Sequence, residues 1–224
     1  GGDAGGGGGG GEVKTGTLQV NPGDSFQIKV GLKGMGGTPG NSGTNGTFSY
    51  LGSIGARGGT GGGGCGYDGW SCANNFGGTN GSDYGQGGVG AWHLSRFGHP
   101  TDGANGVLNE ISGTALTYGS GGGGGGGGGT CAQGLGGVFS GGNGGDCILP
   151  ETIEASNSPK INSGGGGGGA VGGSTGGSGA DGVIYIRLLH RVTYQFNGAD
   201  SGNSETYSLY TVDSQSITLP TPGK

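Results

Sequence analysis

The chain is short of nearly everything that builds an ordinary core or a charged binding surface. Charged residues make up 10% of it and hydrophobic residues 28%, so a side-chain core of normal size for this length is excluded. No stretch approaches the roughly 18 apolar residues of a membrane-spanning helix, and no membrane insertion is expected of this segment. Lys and Arg are scattered and the net charge is −5, which leaves no electrostatic footprint for nucleic acid. Seven prolines, with no glycine at every third position, exclude collagen. Simple disorder fits poorly, because Trp70, Trp92, eight tyrosines and six phenylalanines exceed what a solvating tail needs. The opening "GGDAGGGGGGG" has neither an initiator Met nor a signal peptide, and reads as part of a longer protein.

What fills the space is glycine, at 71 of 224 residues. It is concentrated in runs at Gly5–Gly11, Gly61–Gly64, Gly121–Gly129 and Gly164–Gly169. Ordering backbone costs about 1–2 kcal/mol per residue, so nine glycines cost roughly 10–18 kcal/mol with no side chain to bury. A lone run is therefore a tether. Several runs side by side are different. In the extended polyproline-II form, with three residues per turn, every N–H and C=O points outward to a neighbour, and each bond returns about 1 kcal/mol net. Each long run also leads toward a strand or a cysteine. A packed polyglycine bundle is the expectation, with tethers as the alternative.

Strand signals are few. Residues 12–33 predict a hairpin: Val13 to Val20, a turn at "NPGD", then Phe26, Ile28 and Val30 in alternation. Val138, Phe139, Ile148 and Ile153 fall in a loop, and Val183–Ile186 predicts a central strand. The composition changes near His190, dividing the chain into a glycine-rich domain, 1–190, and a tail, 191–224, with strands around Val192–Phe196, Thr206–Tyr210 and Ser216–Leu219. The expected class is mainly β, a sheet or sandwich module with an inserted bundle of polyglycine-II helices and few or no α-helices.

Candidate sites lie between the runs. The gaps of Cys65, Cys72, Cys131 and Cys147 do not fit zinc. Disulfides Cys65–Cys72 and Cys131–Cys147, with an oxidising extracellular setting, are weighed against four free thiols. Tyr67, Trp70, Phe76, Tyr84, Trp92 and Phe97, with Asn, Asp and Arg around them, have the composition of carbohydrate-binding surfaces and paratopes. The competing reading makes these aromatics the small core that glycine cannot supply, Trp70 above all. His93 and His99 near Asp102 could ligate a metal or act as a base, but no nucleophile motif accompanies them, and they read as surface-loop histidines. Loose G-x-G-x-x-G matches carry no weight without a βαβ unit. No cofactor and no enzymatic activity are expected.

The stretch "GGGGGGGEVKTGTLQVNPGDSFQIKVGLKGMGG" (5–37), with "GGGGGGAVGGSTGGSGADGVIYI" (164–186), resembles the bacterial and phage glycine-rich domains. The same layout is similar to the glycine-rich region in the ectodomain of anaplastic lymphoma kinase and its leukocyte relative. That resemblance implies a β module with polyglycine helices between its strands. The tail "VTYQFNGADSGNSETYSLYTVDSQSITLPTPGK" is similar to the first half of an internalin-type B repeat, the Listeria–Bacteroides repeat. It implies a truncated stalk of a bacterial surface protein. The expected function is a non-enzymatic scaffold, secreted or on the cell surface, whose loops adhere to a surface protein or glycan. A phage tail-fibre tip adhesin is the alternative. Ice binding would need sustained G-x-x triplets on one flat face, which are missing.

Overall fold

The computed structural model describes residues 5–64, 100–126, 134–148, 152–154, 159–171, 174–193 and 207–210. The chain divides into two compact units, Gly1–Ile184 and Tyr185–Lys224. No α-helix occurs among the described residues. The strands are short. In the first unit β1 (Ile28–Lys29), β2 (Ser49–Leu51) and β3 (Ile54–Ala56) form an antiparallel sheet. Two further antiparallel pairs are β4 (Val107–Asn109) with β5 (Leu116–Tyr118), and β6 (Asp146–Ile148) with β7 (Thr152–Glu154). The second unit holds β8 (His190–Thr193) and β9 (Tyr207–Tyr210), with His190 opposite Tyr210.

Between the strands, glycine-rich segments lie side by side and bond to each other through bare backbone. The period is three residues. Gly5, Gly8 and Gly11 donate to Ala170, Gly167 and Gly164 at 2.7–2.9 Å, while Gly6, Gly9 and Glu12 donate to Gly63, Thr60 and Arg57 at 2.8–2.9 Å. Successive residues of one segment thus serve different neighbours. The pairings close a circuit: 5–12 bonds to 57–63, which bonds to 43–46, then 32–35, 176–182, 164–170 and back to 5–11. Residues 120–126 lie deepest. They donate to residues 101–104 (from Gly121 and Gly124), 5–8 (from Gly122 and Gly125) and 142–145 (from Gly123 and Gly126), and accept from 134–137 and 166–169. Gly119 to Gly126 are all buried.

The interior is made of main chain. Tyr118 and Val171 are the buried hydrophobic residues among those described, and the buried polar ones are Ser120, Ser140 and Ser163. Each serine is satisfied. Ser120 Oγ donates to the Val138 carbonyl at 2.8 Å and accepts from Gly106 N–H at 3.0 Å; Ser140 Oγ accepts from Ser120 N–H at 3.0 Å. Ser163 Oγ donates to the Lys160 carbonyl at 2.6 Å and accepts from Gly165 N–H at 3.2 Å. Glycine is required by closeness. A Cβ on Gly7 would stand 2.1 Å from the Gly122 carbonyl oxygen, and one on Gly122 would stand 2.0 Å from that of Gly167.

Two strand expectations are corrected. The "NPGD" turn forms, with Asp24 N–H donating to the Asn21 carbonyl at 3.1 Å and Gly23 at φ +94°. β1 does not pair with residues 13–20, which hold no strand; it pairs with β2, Ile28 opposite Leu51. Leu18 and Phe26 both come within 4 Å of where a Cβ on Gly52 would stand, while Val20, Ile28 and Val30 of the same alternation are exposed. Residues 183–186 are not a central strand. Gly182 still donates to Gly31 at 2.9 Å in the three-residue period, and beyond it 183–186 hold no strand, with Tyr185 and Ile186 43% and 62% exposed. Ile148 and Ile153, expected in a loop, stand in β6 and β7. The expected strand Ser216–Leu219 lies outside the described residues.

Candidate functional site

The hydrogen-bond pairs give each glycine segment a direction, and the directions sort the connections. Gly5 lies level with Ala170, Gly63 and Gly125; at the other end of the same segment, Gly11 lies level with Gly164 and Glu12 with Arg57. Gly124 lies level with Thr101 and Gly134, Gly126 with Gly145, and Gly37 with Gly176. Residue 64, where the chain leaves toward 65–99, and residue 101, just after it returns, therefore lie at one end, the Gly5 end. The same end holds the turn at 38–41, both ends of the 127–133 connection, Val171 and Ser174 around 172–173, and the start of β6. The opposite end carries β1, the β2–β3 and β4–β5 hairpins and the turns 138–140 and 159–163.

Tyr67, Trp70, Phe76, Tyr84, Trp92, His93, Phe97, His99, Cys65, Cys72 and Cys131 lie outside the described residues. Their connections leave the bundle at the Gly5 end. Cys147 belongs to β6, opposite Ile153. Asp102 Oδ1 accepts the Leu135 N–H at 2.7 Å. Among the described residues no cluster of His, Cys, Asp or Glu could hold a metal ion, and no helix is long and apolar enough to cross a membrane.

Asp102 belongs to a motif that glycine bias conceals. Ser42-Gly-Thr-Asn-Gly-Thr47, Asp102-Gly-Ala-Asn-Gly-Val107 and Ser178-Gly-Ala-Asp-Gly-Val183 share one pattern. Its glycines donate from the main chain: Gly43 and Gly46 to Gly62 and Gly59, Gly179 and Gly182 to Gly34 and Gly31, and Gly103 to Leu135. Its first and fourth side chains accept from the same neighbour. Ser42 and Asn45 take the N–H of Gly64 and Gly61 at 3.2 and 3.0 Å. Asp102 and Asn105 take those of Leu135 and Val138 at 2.7 and 2.8 Å. Ser178 and Asp181 take those of Gly36 and Lys33 at 3.2 and 2.8 Å. A three-residue period puts the first and fourth positions on one side, so a short polar side chain there replaces the carbonyl of an absent chain.

One ion pair closes the opposite end of the first run. Lys14 Nζ lies 2.9 Å from Glu12 Oε1, and Arg57 N–H donates to Glu12 Oε2 at 3.0 Å. Burial alone raises the Glu12 pKa, but the Lys14 hydrogen bond, the Arg57 amide and both positive charges outweigh it and hold the carboxyl below its ordinary value.

These features define a class: a β-containing module whose interior is bonded glycine main chain and in which the chain leaves and re-enters at one end around 65–99 and 127–133. The chain belongs to the glycine-rich domain family, whose sequence model matches residues 1–189. No curated protein and no solved structure matches it.

Proposed function

We propose that this chain is a non-enzymatic adhesion scaffold, in which a polyglycine-II bundle holds binding connections at one end. The observation that carries the reading is the polarity of the bundle. The segments 65–99 and 127–133 leave from and return to the Gly5 end, which also starts β6. The three-residue hydrogen-bond period is that of polyglycine packed in the polyproline-II form, and a lattice bonded in several directions is a stiff support. The aromatic composition of Tyr67, Trp70, Phe76, Tyr84, Trp92 and Phe97, with His93, favours a glycan or a protein surface as ligand. The four cysteines are proposed as disulfides, Cys65–Cys72 and Cys131–Cys147, in an extracellular setting. The tail's likeness to an internalin-type B repeat favours a bacterial cell surface over a phage tail-fibre tip, which would use the same scaffold against a bacterial receptor.

Glycan arrays and cell-binding assays on the intact chain test the reading. Alanine at Trp92 together with Tyr67 is expected to abolish binding while leaving the denaturation midpoint unchanged; full binding by the folded double variant would count against it.

A further inference from the structure

Three Asn-Gly steps lie on the hydrogen-bonded segments of the lattice, at Asn45–Gly46, Asn105–Gly106 and Asn143–Gly144. Asn-Gly is the dipeptide most prone to intramolecular imide formation, since glycine has no side chain to hinder its nitrogen. We propose that these steps are modification sites that the packed lattice holds shut, so that opening of the bundle is recorded as a covalent change in the chain.

Ring closure needs a free glycine nitrogen and a carboxamide turned back on its own backbone. Neither is available here. Gly46 N–H donates to Gly59 and Gly144 N–H to Gly134, both at 2.9 Å, and Gly106 N–H donates to Ser120 Oγ at 3.0 Å. The carboxamides are held by other partners: Asn45 Oδ1 accepts from Gly61 N–H at 3.0 Å, Asn105 Oδ1 from Val138 N–H at 2.8 Å and Asn143 Oδ1 from Gly136 N–H at 2.9 Å. A segment that lifts out loses both sets of bonds together. The freed glycine nitrogen then gives its proton to solvent and bonds to Asn Cγ, and the bond from Cγ to Nδ2 breaks as ammonia leaves. Water reopens the imide. Addition at Cγ gives aspartate, and addition at the main-chain carbonyl gives isoaspartate, with no oxidation or reduction in either step.

The two products have different fates. Aspartate fits, because Asp181 stands at the motif position of Asn45 and Asn105 and accepts the Lys33 N–H at 2.8 Å. Isoaspartate inserts an extra main-chain carbon and breaks the three-residue register. Asparagine loss thus splits the molecules into those that can close again and those that cannot.

The test is to incubate the full chain, folded, and its proteolytic peptides in the same mildly alkaline buffer. Peptide mapping by mass spectrometry that separates aspartate from isoaspartate then follows the three sites. Conversion in the folded chain is expected to be slower by on the order of a hundredfold, since it waits for local opening. Molecules that stay folded after conversion are expected to carry aspartate rather than isoaspartate, and Asn105→Asp to keep the parent's denaturation midpoint. Equal rates in chain and peptides, isoaspartate in the folded fraction at the peptide proportion, or loss of folding in Asn105→Asp would each overturn the proposal.

Discussion

At the scale of single residues the controlling quantity is the space a Cβ would need. Gly8 has ordinary room, its nearest neighbour being Gly167 N at 3.4 Å, whereas Gly10 would meet the Gly119 carbonyl oxygen at 1.9 Å and Gly122 that of Gly167 at 2.0 Å. Gly122→Ala and Gly10→Ala should each cost about 3 kcal/mol or more, because backbone cannot rotate away as a side chain does. Gly8→Ala should stay within about 1 kcal/mol, aided by the reduced freedom of the unfolded chain. Denaturant midpoints of the three variants decide it, and equal losses at all three positions would contradict the steric assignment. Side-chain acceptors give a second contrast. Ser140→Ala strips the acceptor from the buried Ser120 N–H, and about 1–3 kcal/mol of stability should go with it. Asn45→Ala, at the more exposed Gly61 N–H, should lose about 1 kcal/mol.

At the scale of elements, segments are held at their ends as well as along their length. Glu12, where the first glycine run stops, is clasped by Lys14 and by the Arg57 amide. Its carboxyl is held below its ordinary value of 4.5, so the folded state binds the proton less readily than the unfolded one. The stabilisation is in full force above about 4.5 and is lost as pH falls through the lowered folded value. Glu12→Gln should therefore flatten the acid side of the stability profile below pH 4.5, measured by thermal melts across that range; an unchanged acid limb would remove the clasp from the account. Elements were also where the sequence was least legible. Alternation at Val13 to Val20 and at Val183–Ile186 gives a strand period, yet neither stretch is a strand. Each follows directly on a segment bonded with a period of three, 5–12 and 176–182, a pattern that hydrophobic alternation does not encode. The hexapeptides at Ser42, Asp102 and Ser178 are readable in retrospect, but in a chain this rich in glycine they do not rise above composition until their acceptors are seen.

At the scale of the whole glycine-rich unit, main chain takes the place of a side-chain core. That much was legible: the scarcity of apolar residues and the recurrence of long glycine runs require the runs to satisfy one another or stay loose. The shared end of 65–99 and 127–133 was not, since direction depends on which amide bonds to which carbonyl, and identical glycines give no sign of it. The aromatic segment between Gly64 and Pro100 is chemically conspicuous in sequence, while its attachment to the Gly5 end comes only from the pairing of 57–63 with 5–12 and of 101–104 with 121–124.

The central claim is that glycine backbone is the interior, and amide hydrogen exchange read residue by residue tests it most directly. Gly121 to Gly126 donate in turn to Ala104, Gly8, Gly142, Thr101, Gly5 and Gly145. A packed lattice predicts that their amides exchange only through global unfolding, together with those of Gly166 and Gly169. Exchange of the Gly121 to Gly126 amides at the rate of a free glycine peptide, in a chain whose β4–β5 amides remain protected, would contradict it.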